Sequence, residues 1–362
     1  MEITEPLPDE KVILSFLPQT ESIEVSPYGS GHIHRTYRVM TDQGEYILQE
    51  INHTVFKDVE GLMANISLVT QHLKQHFSDE RFGWDIPEVI PATGGESYLT
   101  HEGKYWRLYR FIKDSITYDH VESAGLAAAG GEAFGHFTAA FSGFNPRKLN
   151  EVIPGFHDAF RRLSGLERAV SENRAGRLND CRSEVESLME QKEEMTLLAR
   201  LAATGEIPFR VVHNDTKVNN ILFSSQGRVL SVIDLDTVMP GLVHFDFGDA
   251  VRTWCNAGDE DASDPDTIAF RKDIFNSFAG GFFSVTLSVL NQAEKETLWR
   301  APFYMAWEQA LRFLTDFLNG DTYYPVRYET HNLVRTRAQL RWLDELKKNE
   351  PYIRKELSSL LS

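Results

Sequence analysis

The chain has 362 residues, with 37 Lys and Arg against 53 Asp and Glu, so its formal charge is −16. That charge repels a polyphosphate backbone and argues against nucleic acid as a main partner. A hydrophobic content of 42 % with 25 % charged residues excludes a disordered chain, and the length predicts two or three domains with ample core.

The opening MEITEPLPDEKV lacks the basic-then-apolar pattern of a secretory signal, and Cys181 and Cys255 are too few for a disulfide framework. A reducing, cytoplasmic setting is expected. From Ile23 to Ile112 the pattern is strand-like: HRTYRVM and EYILQEI flank the turn Thr41-Asp42-Gln43-Gly44, and SYLTH and KYWRLYRFI flank Glu102-Gly103. Between these hairpins Val59, Leu62, Met63, Ile66, Val69, Leu73 and Phe77 recur at helical spacing, the stripe of a helix of about five turns. After Lys113 long helical patterns dominate, such as Ala124 to Phe141 and Glu184 to Ala203, interrupted by β-formers from Val211 to Val238. The longest uncharged run, Ile274 to Ala293, carries many polar residues and reads as a buried bundle helix rather than a membrane span. The expectation is an α+β chain: a sheet part over residues 1–112, a mainly helical part over 113–362, and a ligand cleft between them.

The strongest chemical signal is HNDTKVNN, His213 to Asn220. It matches the phosphoryl-transfer loop in which an Asp accepts the proton of an attacking hydroxyl and an Asn five residues on holds magnesium. A polar turn with an Asx cap is the plain alternative. Residues 221–223, the turn Ser224-Ser225-Gln226-Gly227 and residues 228–233 read as a hairpin that returns Asp234 beside Asn220. An amide oxygen and a carboxylate converging on one point suit Mg²⁺. Asp236 is placed behind Asp234, two residues along the same strand face. Asp246-Phe247-Gly248 spells a kinase metal triplet but lies outside this hairpin, so Asp246 and Asp249 are assigned a supporting role. Gly29 and Gly31, ahead of the first hairpin, would let backbone amides approach phosphates.

In order and detail, SPYGSGHI, YILQEIN, RVVHNDTKVNNIL, VIDLDTVMPG, FDFGDAVR, LRFLTDFLNGD and HNLVRTR resemble the aminoglycoside phosphotransferase and choline kinase superfamily, and within it the N-acetylhexosamine 1-kinases. The resemblance spans about Pro27 to Arg337. It implies a bilobal protein-kinase-like fold, with an N-terminal antiparallel sheet lobe and a mainly helical C-terminal lobe. It also implies transfer of the ATP γ-phosphate to the anomeric hydroxyl of N-acetylglucosamine or N-acetylgalactosamine. In that reading Asp215 is the base and contacts the sugar, Lys217 touches phosphate, Asn220 and Asp234 hold Mg²⁺, and His213 and Asp236 stand behind them. Gly29, Gly31, Gln49, Phe111 and Ile112 fall on the nucleotide side, and Arg312 grips the sugar with Tyr323 and Tyr324 nearby. Small molecules are then the expected partners, with no nucleic acid and no membrane.

One departure stands out. Kinase-like folds place a Lys on the strand after the Gly loop, paired with a helix Glu. Here that position reads Gln49, and the stripe from Gly61 to Phe77 contains no Glu, so both members of the pair are missing together. A kinase of choline, ethanolamine or homoserine and a catalytically silent kinase-like binding protein are the competing readings. Arg312 opposes a quaternary ammonium, and the presence of Asp215, Asn220 and Asp234 together opposes silence.

Overall fold

Six antiparallel strands build the N-terminal sheet: β1 (Ile23–Pro27), β2 (Arg35–Thr41), β3 (Gly44–Ile51), β4 (Val89–Ile90), β5 (Leu99–His101) and β6 (Lys104–Arg110). Their order is β1-β2-β3-β6-β4, with β5 also on β6. The computed structural model describes residues 7–29, 33–77 and 83–362. Both expected hairpins form. Thr41 closes the first, its hydroxyl donating to Gly44 O at 3.0 Å and accepting from Gln43 N at 3.1 Å. The second turns on Glu102 and Gly103, whose φ values of 50° and 76° are the paired positive values of a tight hairpin turn.

Alternation along the pleat sends Tyr37, Val39, Tyr46, Leu48, Trp106 and Leu108 to one face. There α1 (Glu10–Phe16) covers them with Val12, Ile13 and Phe16. The opposite face carries Gln49 and Arg107, directly paired across β3 and β6. Helix α2 (Val59–His76) starts where Asp58 accepts from Gly61 N at 2.8 Å, and every residue of its predicted stripe is buried. That stripe joins the large core running through the helical part. Asn65 ties the same helix down, its side-chain amide donating to Asn150 O at 2.9 Å and Val238 O at 3.2 Å.

The helical part contains α3 (Ala124–Ala140), α4 (Ala159–Glu172), α5 (Arg182–Glu190), α6 (Lys192–Met195), α7 (Leu197–Ala203), α8 (Val243–Trp254), α9 (Lys272–Thr286), α10 (Gln292–Thr297), α11 (Ala301–Asn319) and α12 (His331–Leu361). Between α7 and α8 lie β7 (Arg210–Val212), β8 (Ile221–Phe223), β9 (Val229–Val232) and β10 (Met239–Gly241), paired antiparallel as β7–β10 and β8–β9. Helices α3 and α9 cross closely enough that a Cβ on Gly131 would stand 2.1 Å from Phe278 O, and one on Gly281 would stand 2.2 Å from Ala128 O.

Two expected helices are shorter than their patterns. The stretch from Glu184 to Ala203 is three helices, not one. At the breaks Gln191 Nε2 donates to Ser187 O and Thr196 Oγ1 to Lys192 O, side-chain bonds to the carbonyl four residues back that compete with a straight ladder. The uncharged run from Ile274 is helical only to Thr286, because Asn291 and Glu294 form a capping box that starts α10. Among the described residues no helix is long and apolar enough to cross a membrane.

Candidate active site

Strand β7 leads into the 213–217 loop, which is held mainly by its backbone. His213 N and Asn214 N donate to the two oxygens of Asp246 at 2.8 and 2.7 Å, and Thr216 N donates to Asp249 Oδ2 at 3.1 Å. Both carboxylates stand on α8, and Arg252 Nη2 holds Asp249 Oδ1 at 2.8 Å. The kinase-like triplet thus supports the loop. The His213 ring is fully buried between Phe134 and Phe137 and bonds Ile233 O at 2.9 Å, so it anchors the loop to the end of β9.

Asp215 faces the open side of this loop. One oxygen meets Lys217 Nζ at 2.9 Å and the other accepts from Asn220 Nδ2 at 2.9 Å. Burial opposes its ionisation, but the Lys217 ammonium, neighbouring His213 and the Asn220 hydrogen bond prevail and hold its pKa below the usual carboxylate value. Asp215, Asp249 and Glu260 together raise the pKa of Lys217, so it stays protonated. The β8–β9 hairpin closes as expected, with Ile233 N donating to Asn220 O at 2.9 Å, and this brings Asp234 alongside Asn220.

Asp234 adopts the left-handed conformation, φ 59°, and its side chain makes no capping hydrogen bond. Its carboxylate opens to solvent, yet protein surrounds it on most sides. Loss of water, then the charges of Asp236 and Asp215, push its pKa up to about 7. A cation there would relieve that accumulation of negative charge. With Nδ2 of Asn220 engaged by Asp215, its Oδ1 is left to act with Asp234 as a pair of hard oxygen donors. Among the described residues no cluster of three or more His, Cys, Asp or Glu side chains gathers to hold a metal. Two protein oxygens fit Mg²⁺, which keeps water and takes phosphate oxygens for the rest of its shell.

Asp236 is not on a strand face with Asp234. β9 ends at Val232, and Leu235–Thr237 is a 3₁₀ turn that swings the Asp236 carboxylate towards the N-terminal sheet. There it accepts Arg107 Nη1 at 2.5 Å and Nη2 at 2.7 Å, and it also bonds His34. The absence of the strand Lys and its helix Glu therefore does not leave this level without an ion pair: a different one, Arg107–Asp236, joins the sheet to the helical part, with its cation on β6. Gln49 serves it, its Oε1 accepting Arg107 Nε at 2.9 Å while its Nε2 donates to Thr36 Oγ1 at 3.1 Å. Burial disfavours the Asp236 charge, but Arg107 and His34 hold its pKa far below the usual range.

Elsewhere on this side, Gly29 has φ 78°, a backbone conformation that suits glycine, whereas Gly31 lies outside the described residues. The Phe111 ring meets Tyr28 edge-on at 5.9 Å, and its N–H donates to Glu45 O at 3.0 Å. Ile112 O accepts from Ser115 Oγ at 2.6 Å where the chain passes into the helical part.

Arg312 projects from α11. Its guanidinium lies over the rings of Phe156 at 4.9 Å and Tyr324 at 5.6 Å, and Nη1 donates to Gln309 Oε1 at 3.1 Å. Behind it, fully buried Glu308 stands 3.8 Å away, accepts from Arg162 at 3.0 Å and faces His157 Nδ1 at 3.5 Å. Asp316, also buried, accepts the backbone N–H groups of Thr322, Tyr323 and Tyr324, each at 2.9 Å. The loop after α11 is thereby fixed with Tyr324 turned to Arg312, while Tyr323 is 53 % exposed. Arg252 links this group to the loop, because it pairs with Asp249 and Glu260 near Lys217 and its charge also opposes that of Arg312.

Residues 24–276, well over half of the chain, match the phosphotransferase enzyme family model. The chain belongs to the phosphotransferase enzyme family. Among solved structures it is similar to an aminoglycoside phosphotransferase from Alicyclobacillus acidocaldarius, at TM-score 0.59 and 13 % identity over 98 % of this chain and 97 % of that one. It is also similar to choline kinase from Cryptosporidium parvum, at TM-score 0.58 and 14 % identity over 98 % and 100 %. Spectinomycin phosphotransferase, solved with ADP and spectinomycin, gives TM-score 0.56 and 10 % identity over 97 % and 100 %. At these identities the likeness is one of fold, and it agrees with the antiparallel sheet followed by a mainly helical part.

Four residues of this phosphotransferase that bear on the site escape a reading of motifs: His34, Arg107, Glu308 and Asp316. Arg107 is one of three basic residues in KYWRLYR, with Lys104 and Arg110, and what sets it apart is visible only in the fold, where it pairs with Gln49 of β3 and reaches Asp236. Glu308 and Asp316 are charges within the apolar pattern of α11, where burial without a partner would be costly. That conflict with the pattern is the signal that could have found them.

Proposed function

We propose that this phosphotransferase is an ATP- and Mg²⁺-dependent kinase that phosphorylates the anomeric hydroxyl of an N-acetylhexosamine, giving the sugar 1-phosphate. The kinase reading is carried by Asp215, held ionised between Lys217 and Asn220 and near enough to Asp234 for its charge to raise the Asp234 pKa. Asp215 orients the attacking hydroxyl and takes its proton as the oxygen–phosphorus bond forms and ADP leaves. Because a C1 hydroxyl is more acidic than an ordinary alcohol, a carboxylate with a low pKa is an adequate acceptor. Lys217 neutralises developing phosphate charge. Asn220 Oδ1 and the Asp234 carboxylate would hold Mg²⁺, which offsets the charge of the nucleotide phosphates. Backbone of the Gly29 loop and of Phe111 and Ile112 would receive the nucleotide, and nucleotide use is supported by the ADP that accompanies spectinomycin phosphotransferase.

The sugar assignment rests on the sequence resemblance and on Arg312. Its guanidinium, oriented by Gln309 and flanked by Tyr324, offers directed donors to ring hydroxyls or an acetamido carbonyl. A choline or ethanolamine kinase is the second reading, supported by the likeness to choline kinase. It would set a permanent cation beside the acceptor's own ammonium. The test is ADP release from ATP and Mg²⁺ with N-acetylglucosamine, N-acetylgalactosamine, choline and ethanolamine. Turnover of an N-acetylhexosamine is expected, and turnover of the amino alcohols alone would overturn the assignment.

A further inference from the structure

We infer that Arg107 positions the 234–237 turn, and with it the Asp234 carboxylate, from the sheet side, so that the organising cation of this site sits one strand away from its usual place. The inference rests on the reading of Asp234 as a metal ligand. Arg107 is 2 % exposed and three of its N–H groups are committed: Nε to Gln49, Nη1 and Nη2 to the two oxygens of Asp236. A planar fork held on two sides has one orientation, which a lysine ammonium could not be given. Gln49, at the directly paired position of β3, is itself fixed by Thr36.

From Asp236 the connection continues into the helical part. Thr237 Oγ1 donates to His213 O at 2.7 Å, and Thr237 O accepts Asn214 Nδ2 at 2.8 Å. The 234–237 turn is therefore tied to β3 and β6 on one side and to the loop that bears Asp215 on the other. Asp234 lies at the start of this turn in a left-handed conformation with no capping bond of its own. Its direction is set by the turn that follows, and the sheet-side hold on that turn comes from Arg107 and His34. The missing Lys and Glu are thus replaced by an Arg and an Asp that act differently, since they fix a ligand rather than reach for phosphate.

The test compares wild type, Arg107→Lys and the double variant Arg107→Met with Asp236→Leu, which removes both buried charges together and avoids orphaning either. Calorimetry measures ADP binding with and without Mg²⁺. Both variants should lose about 10- to 100-fold in Mg²⁺-dependent ADP affinity, the usual cost of removing a partner that orients a metal ligand, with metal-free ADP binding unchanged. Arg107→Lys keeps the charge and loses the fork, so it decides the matter if the double variant does not fold. Wild-type Mg²⁺-dependent affinity in the variants would reduce Arg107 to a structural tie and overturn the inference. An equal loss with and without Mg²⁺ would place Arg107 on the phosphates and also overturn it. Absence of any Mg²⁺ effect in wild type would instead contradict the metal reading of Asp234, and the inference with it.

Discussion

Asp215 is fixed by a cation on one oxygen and an amide on the other, partners that the spacing of HNDTKVNN assigns to phosphate and metal instead. Replacing it with Asn keeps the side-chain shape but removes the proton acceptor. Turnover of Asp215→Asn should fall by about 100-fold or more, the lower end of general-base loss, with thermal melting unchanged. Steady-state kinetics near wild type would remove Asp215 from this role. Glu308 gives a different kind of expectation. Burial opposes its charge, yet Arg312, His157 and Arg162 lower its pKa from 4.5 to about 2. A carboxylate with a depressed folded value stabilises fully above its unfolded value and loses that contribution as pH falls through the folded one. Between about pH 4.5 and 2 the melting temperature of wild type should therefore drop more steeply than that of Glu308→Gln, which starts lower because its buried cations are left unpaired. Parallel slopes in calorimetric melts would contradict the assignment.

Elements were legible where one segment carries its whole instruction. The two N-terminal hairpins, the stripe of α2 and the β8–β9 return follow from turn residues and periodicity within a few residues. What was not legible depended on long-range pairing. The 3₁₀ turn at Leu235–Thr237 directs Asp236 to a strand 129 residues earlier in sequence, and no local pattern announces that. The loop after α11 is similar, since three of its amides converge on Asp316. Asp316→Ala should free this loop and release Tyr324 from Arg312. The expected result is a rise of about tenfold in KM for the acceptor with KM for ATP little changed, as for a lost positioning contact on one substrate. Equal rises for both substrates would assign Asp316 to general stability instead.

At the scale of the whole molecule the sheet presents buried Arg107 to Asp236 of the helical part. Within the net charge of −16, the cations Lys217, Arg252 and Arg312 are each held by carboxylates, Asp215, Asp249 with Glu260, and Glu308, which fix their orientation. The juxtaposition of the 213–220 loop with the β8–β9 hairpin was legible because the proposed chemistry requires fixed residue types at fixed spacing. The ion pair joining sheet to body was not, because Gln49 records only the loss of a lysine and Arg107 is recognisable only in the folded sheet. Phosphorylation at C1 is the claim on which the functional account turns, since it separates an anomeric sugar kinase from the wider small-alcohol kinases. Phosphorus NMR of the product formed from ATP, Mg²⁺ and N-acetylglucosamine or N-acetylgalactosamine, run beside the methyl glycoside, tests it directly. The account predicts a sugar 1-phosphate and no product from the methyl glycoside; a 6-phosphate, or phosphorylation of the blocked sugar, would contradict it.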